Sequence, residues 1–276
     1  MGKIIAICNQ KGGVGKTTTT ISMGRVLVDE GYKVLLVDVD DSGNPSLSKW
    51  LGFDSSETSK ADAEKNLTDL MMLKLMGREI AEDVRKVIKH NKEGMDVIAA
   101  DSALAGITNY INVMNDSSKE DSARKRGLLR EVLSCFKDDY DYILLDAAPS
   151  LNIMSVNLLT AADELIIVSQ AQGTSAEAVT QLLLTVAQIK EGDNPDLILK
   201  GLLITMVDNR TNYSKDKAAD MTEIYSELGL KVFNTKIPRA VVAESCVEAR
   251  ESVIAYAPDS KPTNAYREFV KEYLNS

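Results

Sequence analysis

The first forty residues constrain the fold more than anything that follows them. KIIAIC, residues 3–8, is an apolar run of strand length. A glycine-rich stretch, GGVGKT at 12–17, comes directly after it. A helical pattern then runs from Lys16 to Glu30, with Gly31 as its stop. KVLLVDVD, residues 33–40, is a second strand that ends in acids. Strand, glycine loop, helix and strand in that order make a βαβ unit, whose crossover is right-handed.

The same alternation continues along the chain. Helical stretches are expected over roughly 60–93, MDVIAA as a strand, and a long helix near 118–138. YDYILLDAAP and ADELIIVSQ read as strands, the second followed by a helix near 175–190. LILKGLLITMV holds a strand, 212–228 a helix closed by Gly229, KVFNTKIP a short strand, and the chain ends in helices. Runs such as YILL and ELIIV carry no polar alternation, as in parallel strands covered on both faces. Asn115–Asp121 is either a mobile loop or a helix cap. The reading is an α/β protein with three layers, α/β/α, around a mostly parallel twisted sheet. Residues 1–276 are expected to form a single domain, with strand one starting too early, at Lys3, for an N-terminal helix-turn-helix.

Charge and cysteines narrow the classes. A net charge of -9 argues against a surface coated evenly for nucleic acid, though not against a local basic patch. No apolar run is long enough to cross a bilayer, and no secretory leader pattern precedes the first strand. Cys8, Cys135 and Cys246 are too widely spaced for a metal motif or a disulfide framework, so a reducing cytoplasm is expected. Cys8, within a strand pattern, is read as a buried thiol.

GGVGKT between a strand and a helix is a phosphate-binding pattern. Glycines let the backbone curl so that N–H groups face an anion, and the helix N-terminus adds a favourable field. Lys16 reaches β- and γ-phosphates, and the Thr17 hydroxyl binds Mg²⁺. The match to G-x-x-x-x-G-K-[ST] is incomplete, because Gln10 stands where the first glycine belongs. Asp38 and Asp40 end the second strand on one side of it, where open sheets bind ligands. One is expected to hold the metal's water shell and the other to orient an attacking water. Asp146, ending YILLD, reads as the Walker B acid. Lys11 is either surface decoration or a second cation for charge that develops at the γ-phosphate.

KGGVGKTT resembles the deviant Walker A motif of the ParA/MinD class of P-loop ATPases. Within that class the whole chain resembles the ParA/Soj partition ATPases of plasmids and chromosomes. VLLVDVDDSGNPS resembles the family's second motif and YDYILLDAAPSL its Walker B segment. LLITMVDNRTNYS, IPR and AYAPDSKPTNAYREFVKEYL resemble its C-terminal half. The resemblance implies ATP and Mg²⁺ as cofactors and slow ATP hydrolysis in an ATP-bound sandwich homodimer. Lys16 binds phosphates in cis and Lys11 those of the partner subunit. Asp40 orients the water, Thr17 binds the metal, and Asp38 and Asp146 support it. Gly12 allows two phosphate loops to approach, Gly13, Val14 and Gly15 complete the loop, and Thr18 touches the α-phosphate. Asn209, Pro238 and Arg239 fall near the adenine and the dimer interface.

Three departures qualify the likeness. The family usually has Pro then Gln after the catalytic acid, where this chain has Asp41 and Ser42. That extra carboxylate is expected either to weaken nucleotide affinity, or to alter its pH dependence, or to face solvent. Ala148 replaces one of two Walker B prolines. SCVEARES replaces a segment rich in Pro, His and Gly, which bears on surface contacts more than on hydrolysis.

The resemblance further implies non-specific double-stranded DNA as a ligand of the ATP-bound dimer, a ParB-like protein as the trigger of hydrolysis, and a nucleoid-associated location within the cytoplasm. Between Lys200 and Ala240 stand seven Lys/Arg and five Asp/Glu, a mild local excess of positive charge. Arg210 resembles a family DNA contact, and Lys215, Lys217, Lys236 and Arg250 are further candidates. The tail stripe Tyr266, Phe269, Val270 and Leu274 is expected to pack on the sheet and not on a membrane. Two other classes compete. One is a nucleotide-dependent positioning adaptor with little hydrolysis, supported by Asp41 and Ser42. The other is a metabolic enzyme that passes phosphate to a small molecule.

Overall fold

The computed structural model describes residues 1–53, 65–80, 84–114, 118–171, 175–208, 210–239 and 242–276. Its strands are β1 (Lys3–Cys8), β2 (Val34–Val39), β3 (Ile88–His90), β4 (Asp96–Ile98), β5 (Tyr142–Ala147), β6 (Glu164–Gln170), β7 (Ile198–Val207) and β8 (Val232–Pro238). Its helices are α1 (Lys16–Asp29), α2 (Ser46–Leu51), α3 (Leu67–Leu75), α4 (Leu104–Val113), α5 (Lys119–Ser134), α6 (Ile153–Ala161), α7 (Ser175–Glu191), α8 (Asn212–Glu227), α9 (Ala243–Ala249), α10 (Val253–Tyr256) and α11 (Lys261–Leu274).

Among the described residues the strands form one eight-stranded sheet in the order β3-β4-β2-β5-β1-β6-β7-β8, parallel except for the β3–β4 pair. Side chains alternate across it, so each strand feeds two cores. Ile4, Ala6, Leu35 and Val37 join one face, covered by α3 to α8. Ile5, Ile7, Val34 and Leu36 join the other, covered by α1, α2, α9, α10 and α11. This doubly covered sheet is why its central strands read as unbroken apolar runs. From β1 the chain moves toward one edge to reach β2. From β5 it crosses to the other side to reach β6. The crevice at the carboxyl ends of β1, β2 and β5 is therefore a topological switch point, the place where such sheets bind ligands.

The expected helical stretch over 60–93 divides instead. Residues 54–64 and 81–83 lie outside the described residues. α3 ends where Gly77 takes a left-handed turn (φ 70°), and the segment then forms a 3-10 turn at Val84–Val87 and the edge strand β3. Of the stretch Asn115–Asp121, residues 115–117 lie outside the described ones. Ser118 caps α5, its hydroxyl accepting the Asp121 amide at 3.1 Å. The tail stripe packs inward: Phe269 is fully buried, edge-on to Phe233 of β8 at 4.9 Å, and Tyr266 meets Thr19 of α1 at 3.2 Å. Cys8 is buried, and among the described residues no helix is long and apolar enough to cross a membrane.

Candidate active site

A cavity of about 540 Å³ opens above the switch point. The glycine loop contributes Gly12, Gly13, Gly15, Lys16, Thr17 and Thr18 to its lining. Gly13 and Gly15 sit at φ 71° and 90°, the left-handed region that a side chain strains. Gly12 has no left-handed φ, and among the described residues a Cβ placed there would meet only Pro149 Cβ at 3.9 Å. Among the described residues nothing therefore demands glycine at position 12.

Side chains from the strand tips hold the loop from behind. Gln170, ending β6, donates to the Gly13 carbonyl at 2.8 Å. Thr205, near the end of β7, donates to the Val14 carbonyl at 2.7 Å. Asn9 accepts the Lys11 amide at 3.0 Å and donates to the Val168 carbonyl at 2.7 Å. Lys16 Nζ donates to the Lys11 carbonyl at 3.2 Å. The carbonyls of Lys11, Gly13 and Val14 are thus engaged by protein donors, which suits a loop that presents amides to an anion. Met206, the next residue of β7, also lines the cavity and is held at φ 55°.

Three acids meet at the strand ends. Asp38 and Asp146 are register neighbours on β2 and β5. Asp146 Oδ2 accepts the Thr17 hydroxyl at 2.7 Å. Burial, then the charge of Asp38, pushes the Asp146 carboxyl up to about 8, against the pull of Thr17 and Lys16. Asp38 is fully buried, takes the amide and hydroxyl of Ser48 at 2.7 Å each, and is pushed up to about 6 by burial. Burial lowers the Lys16 ammonium, while Asp146 raises it. Asp40 lines the cavity, and its carboxylate accepts the Ser42 amide and the Ser46 hydroxyl at 3.0 Å each. Lys11 is half-buried at the loop's entrance.

Asp41 departs from the expectation that it faces solvent. Nor does it line the cavity. It is 7% exposed, and its Oδ2 takes the Thr108 hydroxyl and the Asn152 amide group at 2.7 Å each. SCVEARES also reaches further than a surface segment: Val247 lines the cavity, and the Glu251 carbonyl accepts the indole N–H of Trp50, another lining residue, at 2.8 Å.

The remaining candidates spread over several elements. Pro238 pairs with Val207 at the end of β8, and the Arg239 amide donates to the Val207 carbonyl at 3.1 Å, outside the cavity lining. Asn209 lies outside the described residues. Arg210 is exposed and forks onto Asp208, two bonds of 2.9 Å. Lys217, on α8 with Lys215, pairs with Asp220 at 3.0 Å. Lys236 is half-buried and donates to the Phe233 carbonyl at 2.6 Å. The stem of Arg250 lies across Gly52, so that a Cβ there would meet Arg250 Cδ at 2.6 Å.

The sequence reading missed Asn9, Gln170, Thr205, Ser46 and Trp50. A usable signal existed for the first three: each is a polar residue at the carboxyl end of an apolar strand in an α/β pattern.

The chain is similar to known proteins in sequence and in fold. A family model described as an AAA domain matches residues 2–199. The sporulation initiation inhibitor protein Soj of Bacillus subtilis is 37% identical over 273 residues, covering 99% of this chain and 98% of its own length. The chromosome partitioning protein ParA of Caulobacter vibrioides is 33% identical over 275 residues, with 99% and 94% covered. Among solved structures, cobyrinic acid a,c-diamide synthase from Mycobacterium smegmatis with bound ADP and magnesium matches at a TM-score of 0.79 and 30% identity, over 100% of this chain and 95% of that one.

Proposed function

The chain belongs to the Soj/ParA family of P-loop ATPases, and from that premise we propose that it is a Mg²⁺-dependent ATPase of DNA segregation. ATP binding closes a sandwich homodimer, the dimer holds double-stranded DNA without sequence preference, and a ParB-like partner triggers hydrolysis to ADP and phosphate. The observation that carries this reading is the convergence of Lys16, Thr17 and Asp40 on one cavity at the switch point, with Asp146 bonded to Thr17 behind them.

The donor set suits the cofactors. The hydroxyl of Thr17 and the carboxylates behind it are the hard oxygen ligands that Mg²⁺ prefers. Among the described residues no group of three or more His, Cys, Asp or Glu is placed to hold a metal alone. Thr17 would therefore share the ion with phosphate oxygens and water, backed by Asp38 and Asp146. When bound, Mg²⁺ neutralises charge on the β- and γ-phosphates. Lys16 exchanges its bond to the Lys11 carbonyl for phosphate oxygens. Asp40, held by Ser42 and Ser46, accepts a proton or hydrogen bond from the attacking water. Lys11 reaches the nucleotide of the partner subunit, where a second cation stabilises the developing charge. Thr18 is given the α-phosphate, and contacts with the base and the dimer interface fall to Asn209, Pro238 and Arg239. The DNA contacts fall to Arg210, Lys215, Lys217, Lys236 and Arg250, through backbone phosphates and with strong salt dependence.

Gel filtration and DNA retention with ATP, with ADP and without nucleotide test this. Asp40→Ala is expected to dimerise with ATP and to hold DNA longer than the unmodified chain, while Lys16→Ala does neither. Normal hydrolysis by Asp40→Ala with partner present would remove the role given to Asp40. An ATP-bound chain that stays monomeric at high concentration would remove the two-molecule site.

A further inference from the structure

One buried carboxylate beside the site has no part in the chemistry above. Asp41 follows Asp40 directly, yet it points away from the cavity. Thr108, one of its donors, lies on α4. Asn152, the other, is the N-cap of α6, and its Oδ1 accepts the amides of Met154 and Ser155 at 2.9 and 3.2 Å. The Asp41 carboxylate thus joins the segment after β2, the middle of α4 and the segment after β5. Removing a carboxylate from water is costly unless donors face it. Here two donors do, at the N-terminal end of a helix, where negative charge is favoured.

Asp41 stands between the acceptor and the donor of the bond that aims Asp40, since the Ser42 amide holds Asp40 Oδ1 at 3.0 Å. The Asp40 amide in turn is held by Asp38 Oδ1 at 3.0 Å. A shift of the backbone at 41 would move both ends of that arrangement. We infer that Asp41 is a positioning residue for hydrolysis: anchored on Thr108 and Asn152, it fixes the direction of Asp40 and ties the Asp40 segment to the segment that carries Pro149. The inference rests on the ATP-hydrolysing reading above.

The test uses the full chain with Thr108→Val, Thr108→Ser, Asp41→Ala and the Asp41→Ala/Thr108→Val pair. Mg·ATP turnover, ADP affinity by calorimetry, and amide exchange over residues 40–46 and 147–153 are measured. Misplacing a reacting group by a fraction of an ångström to an ångström costs about 10- to 100-fold in rate. Thr108→Val and Asp41→Ala are therefore expected to lower kcat about 10-fold, with ADP affinity changed less than about twofold. Thr108→Ser keeps the rate, and the pair is no worse than Asp41→Ala alone, because both remove one connection. Exchange in both segments quickens together. Unchanged turnover in Thr108→Val overturns the inference. So does ADP affinity that falls in step with kcat, or exchange that quickens in one segment only. Should Asp41→Ala fail to fold, the near-isosteric Thr108→Val carries the test. If the unmodified chain does not turn over Mg·ATP even with DNA and partner present, the ATPase reading fails on its own. The exchange arm then decides the tie: joint quickening supports it, and its absence overturns it.

Discussion

Asp146→Asn is expected to stabilise the nucleotide-free protein near neutral pH while weakening Mg·ATP binding. The folded carboxyl titrates at about 8, against an ordinary value of 3.8. The native state therefore keeps a proton that the unfolded chain has already released. Stability from this group is complete below about pH 4 and is lost as pH rises toward 8. Each tenfold change in proton affinity is about 1.4 kcal/mol, which caps the cost at about 6 kcal/mol at pH 8 and above. Water entering the open cavity above the site reduces this, and about 3 kcal/mol is a reasonable expectation at pH 7.5. Asparagine keeps the size and one acceptor for the Thr17 hydroxyl while removing the charge.

For a chain of this length the entropy of unfolding is about 0.6 kcal/mol per kelvin, so the gain corresponds to about 5 °C in Tm. Differential scanning calorimetry of both proteins at pH 7.5 and pH 4.5 is the assay. The gain at pH 7.5 shrinks by more than half at pH 4.5, where the native carboxyl of the unmodified chain is already protonated. Saturating Mg·ATP raises Tm more in the unmodified chain than in the variant. A variant that melts no higher at pH 7.5, or that gains equally at both pH values, would refute the reasoning.

Gly24→Ala should destabilise despite alanine's better helix propensity of about 1 kcal/mol. Its Cβ would meet Leu36 Cδ2 at 2.8 Å and Met95 Sδ at 3.0 Å, an overpacking cost of about 1–3 kcal/mol, so denaturant melts should show a net loss. A thiol reagent should modify Cys135 alone in the native protein. Cys8 and Cys246 are buried, and burial pushes their thiols up to about 12 and about 11, whereas all three react in denaturant. Asp208→Asn should tighten ATP-dependent DNA retention at least about threefold by releasing the Arg210 guanidinium, and Arg210→Ala should weaken it. Equal retention by both variants would remove Arg210 from the DNA surface.

How much of this was legible depended on whether a signal had redundancy. The βαβ start was legible because an apolar run, left-handed glycines, a buried lysine and a capped helix all belong to one device. β3 was not. Three residues on a sheet edge, none of them fully buried, carry no alternation to detect. α6 escaped for the opposite reason: IMSVNLLTA has apolar residues on every side, as a buried helix does, and shows no stripe. α2 is only six residues long, too short for any periodicity.

The site divides along the same line. Lys16, Thr17 and the strand-ending acids were legible because each stands at a position that the chemistry fixes. Gln170 and Thr205 carried only a weaker signal, since a polar residue at a strand tip is also an ordinary end of a strand. Asp41 shows the limit most sharply. Its neighbour in sequence faces the cavity, and its own role is decided by Thr108 and Asn152, which lie 67 and 111 residues away.

Gly12 shows the complementary limit, where even the folded chain does not contain the reason for a residue. Gly13 and Gly15 are explained by their own dihedrals. Gly24 is explained by the leucine and methionine pressed against it. Gly12 has neither cause among the described residues, since its φ is not left-handed and a methyl group there would rest 3.9 Å from Pro149. Both it and Gly13 are exposed at the rim of the cavity, beside Lys11. A small residue that its own chain does not require, at the rim of an anion site, is the footprint that close approach of a second body would leave. That supports the proposal of two phosphate loops facing each other across shared nucleotide, in which Lys11 serves the opposite subunit and the side chain missing at Gly12 is the space in which they meet.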